Sequence, residues 1–532
     1  MAEHGRTQIG RRTRRGFLRS ATAAGLGAAA SAWLATAAPG GDPVVRAAAA
    51  RRGGTLKIAE AGETNSLDVM ATTAGLTSTV TLPVFEELFA LDLNWRLQPY
   101  LVSNYSIAKD GLTYTFTLRS NVPFHNGKTM TAEDVVASLT RWGKVSAHGS
   151  SVPIASVAGA GNTVTMQLKQ PFAPLLFFLA FPNGAPAIMP KEILDQNGTG
   201  PLKQFVGTGP YKFVEWAPDR HVHVTRFDQF APRAEPGNGM TGRKEALADD
   251  IYYYPVAEVA TRIAGIQSGN YDIADTIDAD SYAQLAKDPR VDVGLTPGQF
   301  IEFIFNKKQG LMANQKLRQA VGLALDMGPI MQATFGNPAL YSIDPSLCPK
   351  GSSWYTHAGA EWYNTRNIAQ AKALAGEAGY SGQPIRWMTD STIQTHFKSS
   401  VVATTQLKQA GFNIDMQVME WATVLERRRD PANWDVFVSA DGFEGEPSLI
   451  LLFSSAYAGW WDTPTKNALF AQFNAESDPH KRAQLWARLQ TLMYQEMPLV
   501  RPGGYSSLQI SRKGSGFHGW NYVIPWNVQA GS

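Results

Sequence analysis

Apolar and polar positions alternate in short runs along most of the chain, and the period of each run predicts its element. Leu56 and Ile58 share one face of Gly53-Gly54-Thr55-Leu56-Lys57-Ile58-Ala59 at period two, a first strand entered through a flexible glycine pair. Ser66-Leu67-Asp68 opens a loop that runs to about Leu76. Val80, Val84, Leu88 and Phe89 then recur at helical spacing, so residues 79–89 are expected as a helix with Pro83 in its first turn. Residues 112–118 alternate apolar and hydroxyl side chains as a half-buried strand does, and the turn-rich residues 121–128 follow. Thr131 is an expected N-cap, with Glu133 and Asp134 in the first turn, where the helix dipole favours acids.

The alternation continues to residue 440. Val206-Gly207-Thr208-Gly209-Pro210-Tyr211 is a Gly-rich turn leading into a strand; no Gly-Lys-Ser/Thr ends it and no helix follows, so it is not a phosphate loop. His221-Val222-His223-Val224 is another strand. Val259, Ile263 and Ile266 mark a helix stopped by Ser268-Gly269-Asn270. Thr296-Pro297-Gly298 is expected as a hinge before a strand at 300–306. Helices at 368–378 and 397–409 then alternate with strands at 385–388, 414–419 and 434–439, a second α/β lobe of roughly 200 residues with the element lengths of a doubly wound sheet. The fold class is therefore α/β.

The N-terminus follows a different pattern. Thr13-Arg14-Arg15-Gly16-Phe17-Leu18-Arg19 is similar to the twin-arginine export signal, and the uncharged, Ala-rich residues 20–41 behind it are long enough to enter a bilayer but too weakly apolar for a permanent anchor. Ala47-Ala48-Ala49-Ala50 supplies small-x-small cleavage sites, so residues 1–50 are expected as a removable signal peptide. The expected destination is the periplasm, by the twin-arginine route and with the twin-arginine translocase as a partner during export.

This leader changes the meaning of the charge. Residues 1–52 hold nine Arg and two acids, a net +7 against +3 for the whole chain, which leaves −4 for the remainder. The basic pI of 8.7 thus belongs to the leader, and no basic stripe with interleaved aromatics remains to suit nucleic acid. Some 480 residues are enough for two or three domains. The single Cys348 permits no intramolecular disulfide and lies far from the expected cleavage site, which argues against a lipid anchor there. Fourteen Trp and 17 Tyr raise the expectation of a ligand cleft, since both offer an apolar face and a polar edge.

Several segments in order resemble the family-5 solute-binding proteins of ABC transporters, the oligopeptide, dipeptide and nickel receptor family. They are Gly111 through Arg119, Pro123-Phe124-His125-Asn126-Gly127-Lys128, Thr131 through Val136, Val206 through Tyr211, Phe303-Ile304-Phe305-Asn306, Leu317-Arg318-Gln319-Ala320 and Ala371 through Tyr380. The resemblance covers essentially all of the chain after the leader. It implies a two-lobed, type II periplasmic-binding-protein fold with an extra subdomain on the first lobe and a ligand cleft at the hinge. The first lobe would take residues 51–92, 206–297 and 501–532, the subdomain 93–205 and the second lobe 298–500. The implied function is capture of a peptide or peptide-like solute for delivery to a membrane permease and its ATPase, by a monomer that needs no cofactor and is not an enzyme.

Site residues follow from the resemblance one position at a time. Trp421 and Arg428 match a family segment in which a Trp and an Arg line the cleft; Trp421 would stack on the solute and Arg428 would meet a carboxylate bidentately. Peptide receptors of the family place an Asp for the peptide's amino terminus near residues 439–447. Phe443 falls at that position here, and the shorter connection leaves Asp441 as the alternative source of charge. An unpaired ammonium would be costly to bury, so a standard peptide ligand is in question. Thr73 and Gly75 align with the ligand-facing loop of the first lobe, and Trp460 and Trp461 lie near the cleft border, where two adjacent side chains on a strand cannot both face one core.

Two other readings compete. A hydrolase would be expected to carry Gly-x-Ser-x-Gly or His-Glu-x-x-His, and neither is present. A metal-chelate receptor is suggested by His221 and His223 on one strand face, although a metal site usually needs three or four ligands. An opine or a sugar conjugate also remains open as the solute.

Overall fold

The structure, a computed structural model, describes residues 51–531, and the expected export leader at 1–50 lies outside them. One main sheet runs through the molecule. Its strands lie in the order Ile414–Met419, Ile385–Asp390, Val436–Gly442, Val291–Phe305, Gly504–Arg512, Ile273–Ala274, Thr55–Glu60, Asp250–Pro255, His221–Arg226 and Tyr211–Ala217. Thr55–Glu60 pairs in parallel with Asp250–Pro255 and Ile273–Ala274, and Ile385–Asp390 pairs in parallel with both its neighbours. Helices such as Val259–Ser268 and Gln394–Gln409 connect these parallel strands, as a parallel sheet requires. Residues 102–168 contribute a separate antiparallel sheet of Val102–Ile107, Thr113–Leu118, Thr163–Leu168 and Ile154–Ala160.

The 15-residue strand Val291–Phe305 joins the two halves of the main sheet. Its first half pairs with Gly504–Arg512, and its second half, from Gln299 on, pairs with Val436–Gly442. The register shifts between Pro297 and Gln299, where Gly298 adopts φ +121°. The run read from sequence as a hinge is therefore a bulge inside one continuous strand, because the pairing with residues 504–507 carries the ladder past Pro297.

Alternation along this strand sorts its side chains. Ile301, Phe303 and Phe305 enter one core with Val436, Val438 and Trp387, while Phe300 and Ile304 enter another with Phe437 and Phe443. Glu302 lies on the second face.

The other expected strands form where the period placed them, with small shifts. The strand expected at 434–439 starts at Val436, after a short helical turn at Pro431–Asn433. Asp134 holds Thr131 at the start of Ala132–Val145: the Thr131 backbone N–H and hydroxyl both donate to Asp134 Oδ2, at 2.9 and 2.7 Å. Asp134 also accepts from Lys128 Nζ at 2.6 Å, which ties the preceding turn to the helix.

The helix expected at 79–89 is displaced. The structure forms Gly75–Thr81 instead, and the chain runs on through turns to the strand Phe89–Leu91. Pro83 and Val84 turn their carbonyls to Tyr211 N and Gly209 N, each at 3.0 Å. His125 clamps the same Gly-rich run: its Nδ1 accepts from Gly207 N at 3.2 Å, and its Nε2 lies 3.0 Å from Gly209 O. Burial holds the imidazole well below its usual range, at about 4, so the ring is neutral at pH 7.

The glycines permit that approach. A Cβ on Gly207 would stand 2.0 Å from Val84 O, and one on Gly209 would stand 2.3 Å from Pro83 O. Gly207→Ala is expected to lower unfolding stability by about 1–3 kcal/mol, read as a shift of the denaturant midpoint at unchanged slope.

Candidate functional site

The two halves of the molecule touch at several points away from the shared strand. Ala173 N donates to Asn474 O at 2.7 Å, Lys398 Nζ meets Asp280 at 2.8 Å, and the Trp95 ring meets the edge of Phe443 at 6.0 Å. The face of the sheet that carries Glu302 holds a cluster of polar side chains. Glu302 and Ser439 are directly opposed across the ladder, and Asp441 is the next residue of its strand on the same face. Arg428 Nη1 lies 3.5 Å from the Tyr457 hydroxyl. Burial raises the Tyr457 phenol, and the neighbouring Glu302 and Asp441 add to the shift.

Arg428 ends the short helix Trp421–Arg427. Its guanidinium lies 5.5 Å from the centre of the Phe437 ring and 5.4 Å from that of Tyr457. Rings on two sides hold the fork in place by cation–π attraction. Among the described residues no carboxylate pairs with Arg428. Trp421, half-buried at the start of that helix, has its ring 5.2 Å from His396. His396 is itself buried and its Nδ1 bonds Asp390 Oδ2 at 2.6 Å. Burial alone would raise the Asp390 carboxyl, yet bonds from His396, Ile393 N and Thr392 hold it below the usual carboxylate value.

The remaining expected residues separate by position. Asp441 is half-buried, accepts from Gly442 N at 2.8 Å and Leu451 N at 3.2 Å, and is raised by burial to about 6. Phe443 is fully buried; its N–H donates to Gly298 O at 2.9 Å, which ties this segment to the bulge. Its ring supplies apolar packing and no charge. Trp460 is half-buried and stacks on Trp434 at 5.8 Å, and Trp434 Nε1 donates to Arg428 O at 3.2 Å.

Trp461 points the other way. It is 1% exposed, donates to Glu496 Oε2 at 2.6 Å and packs on Phe453, so it is a core side chain with no surface to offer a ligand. Thr73 and Gly75 are exposed at the start of the helix Gly75–Thr81. The cluster around Tyr457 thus gathers Arg428 and Asp441 directly, with Trp460 supporting it through Trp434.

Three members of the cluster escaped the sequence reading. Tyr457 gave no signal. Glu302 did, as the one charge inside the otherwise apolar run from Phe300 to Phe305. Glu444 also belongs, with its Oε2 3.4 Å from Tyr522 OH. The histidine pair is otherwise engaged: His221 bonds Glu215 at 3.0 Å, and His223 bonds Asp250 at 2.8 Å while stacking on Tyr252. Among the described residues no group of three or more potential ligands is placed to hold a metal ion, and no helix is long and apolar enough to cross a membrane.

This geometry defines a two-lobed, type II periplasmic-binding-protein fold: two α/β halves share a bulged strand, and a polar cluster lies on the joining sheet. The profile of the bacterial extracellular solute-binding proteins, family 5, matches residues 96–460, more than half the sequence, and the chain belongs to that family. A probable peptide ABC transporter periplasmic-binding protein of Sinorhizobium fredii is 26% identical over 459 residues, covering 82% of this chain and 86% of the relative. A glutathione-binding protein of Salmonella typhimurium is 26% identical, with 80% and 84% covered. Two solved structures share the fold at TM-score 0.73. One is a periplasmic binding protein from A. tumefaciens in complex with agropinic acid, at 24% identity, with 90% of this chain and 99% of that chain covered. The other is a periplasmic binding protein from Helicobacter pylori in complex with a peptide, at 20% identity, with 91% and 99% covered.

Burial, and next the charge of Asp441, lift the Glu444 carboxyl from 4.5 to about 8. Its folded value lies above the unfolded one, so the folded state loses stability as pH rises from about 4.5 to about 8. Glu444→Gln removes that loss. The melting temperature of the variant relative to the parent is expected to climb across this window and level off above it; a pH-independent difference would refute the assignment.

Proposed function

We propose that this protein captures a peptide or peptide-like solute between its two lobes and hands it to an ABC permease and its ATPase for import. The observation that carries the reading is Arg428, a half-buried guanidinium held between Phe437 and Tyr457 with no carboxylate partner among the described residues. A planar fork fixed in this way suits a carboxylate, which every peptide presents at its C-terminus. Trp421, at the other end of the same short helix, would contribute a stacking face. The family and the peptide- and glutathione-binding relatives support the same reading.

In this reading the first lobe comprises residues 51–92, 206–297 and 501–532, the subdomain 93–205 and the second lobe 298–500. The protein works as a periplasmic monomer, without a cofactor or catalytic turnover, after export by the twin-arginine route. Closure of the lobes around the shared strand would enclose the solute and form the surface the permease reads.

One observation favours a second reading, a non-peptide acid such as an opine. Phe443 takes the position at which peptide receptors of the resemblance carry an Asp, and its ring is fully buried. A relative of the same fold was solved with agropinic acid.

Mass spectrometry of the solute that co-purifies with the exported protein identifies it, and a change in tryptophan fluorescence on re-addition reports closure. Arg428→Ala is expected to weaken that solute at least tenfold, while Arg428→Lys keeps part of the affinity. Unchanged affinity in Arg428→Ala contradicts the reading, as does conversion of the solute to product.

A further inference from the structure

The strands Thr55–Glu60 and Asp250–Pro255 run in parallel and end side by side, with Glu60 opposite Pro255. Ile273–Ala274 and Gly504–Arg512 separate this pair from the strand that joins the two halves. Crevices at the carboxyl ends of parallel strands are where open α/β sheets take up small partners. Here a small cleft lies between those ends, the helix Gly75–Thr81 and the hairpin of Tyr211–Ala217 with His221–Arg226. Glu60, Thr64, Val80, Trp216, His221 and Tyr253 line it. It has room for about one water-sized body.

Glu60 brings a carboxyl without a partner to this cleft. The residue is 2% exposed, and no group among the described residues hydrogen-bonds either of its oxygens. Alternation puts Glu60 on the face of Leu56 and Ile58, and Tyr253 lies on the same face of the neighbouring strand. The Tyr253 hydroxyl is likewise buried and unpartnered. Burial, and then the nearby Glu60 charge, raise the Tyr253 phenol well above its usual value. Three oxygens without partners therefore belong to one cleft.

The neighbouring groups are committed. Arg262 is the cation that acts on Glu60, and its guanidinium bonds four carbonyls: Val256 and Thr276 at 2.6 Å, Ala257 at 2.8 Å and Asp275 at 3.1 Å. The Asp275 carboxyl accepts from Thr276 N at 2.7 Å and Gln509 Nε2 at 3.0 Å. As a second acid, Asp275 adds to the effect of burial, which raises the Glu60 carboxyl well above its usual value. Glu63 takes Trp216 Nε1 and Asp219 N, both at 3.0 Å, and His221 bonds Glu215. A carboxyl and a phenol are left over with no described donor, a costly arrangement unless something else occupies the cleft with them.

We propose that Glu60 and Tyr253 hold one water-sized monovalent cation, potassium or ammonium, between the end of the sheet and the helix Gly75–Thr81. The cation replaces the proton that otherwise neutralises the carboxyl, so Glu60 is ionised when the site is filled. A single charge matches the single free carboxylate, whereas calcium and magnesium need about six oxygen ligands or more. Thr64 and Val80 on the wall of the cleft flank the loop that carries Thr73 and Gly75, so the bound ion braces that loop against the sheet. The site stands apart from Arg428 and does not depend on which solute the protein carries.

Thermal melting of the full-length exported protein tests the site. The protein is dialysed into N-methylglucamine chloride at neutral pH and titrated with potassium chloride or ammonium chloride at constant ionic strength. With at least one of the two ions the melting temperature is expected to rise saturably by about 3 °C or more. The rise disappears in Glu60→Gln, and in Tyr253→Phe it needs roughly fivefold more of the ion.

Equal melting in all three salts overturns the inference. A rise that survives in folded Glu60→Gln also overturns it, because the ion then binds elsewhere. Should Glu60→Gln fail to fold, Tyr253→Phe decides: a shifted titration midpoint supports the site, and an unchanged one overturns it.

Discussion

Everything else in the molecule depends on one strand being paired on both sides of a bulge. Val291–Phe305 gives its first half to one α/β unit and its second half to the other, so backbone hydrogen bonds run without a break from Tyr211–Ala217 to Ile414–Met419. A continuous ladder would ordinarily make the two units rigid. Gly298, at φ +121°, provides the local departure, since a residue with a side chain rarely adopts that conformation. The ladder continues on both sides of the bulge.

The same constraint places the chemistry. Period-two alternation sends Ile301, Phe303 and Phe305 into one core and leaves Phe300, Glu302 and Ile304 on the opposite face of the sheet. Ser439 and Asp441 follow on the neighbouring strand by antiparallel register. The polar groups on the joining sheet thus share a ladder with the bulge. Phe443 N bonded to Gly298 O adds a second physical link between the turn beside the cluster and the bend itself.

Local patterns were legible in the sequence where local forces decide the outcome. The Thr131–Asp134 cap, the alternating strand at Thr113–Leu118 and the Gly269 stop all formed as their residue types predict. The segment after Thr79 was misread because its fate is set far along the chain, where Gly209 N and Tyr211 N bond the carbonyls of Val84 and Pro83 and the bare Gly207 and Gly209 let those carbonyls approach. Site residues divide in the same way. Arg428 stood out through the resemblance. The opposite orientations of Trp460 and Trp461 depend on Trp434 and Glu496, which no spacing in the sequence connects to them. Glu302 was visible as a charge in an apolar strand, but its lack of a partner is a property of the fold.

The central claim is that a solute, held on the joining sheet, governs how closely the lobes approach. Small-angle scattering on the exported protein tests this most directly, with its co-purified solute present, removed by unfolding and refolding, and then restored. The account predicts a larger radius of gyration after removal and recovery of the smaller value on restoration. An identical radius in all three states would contradict it.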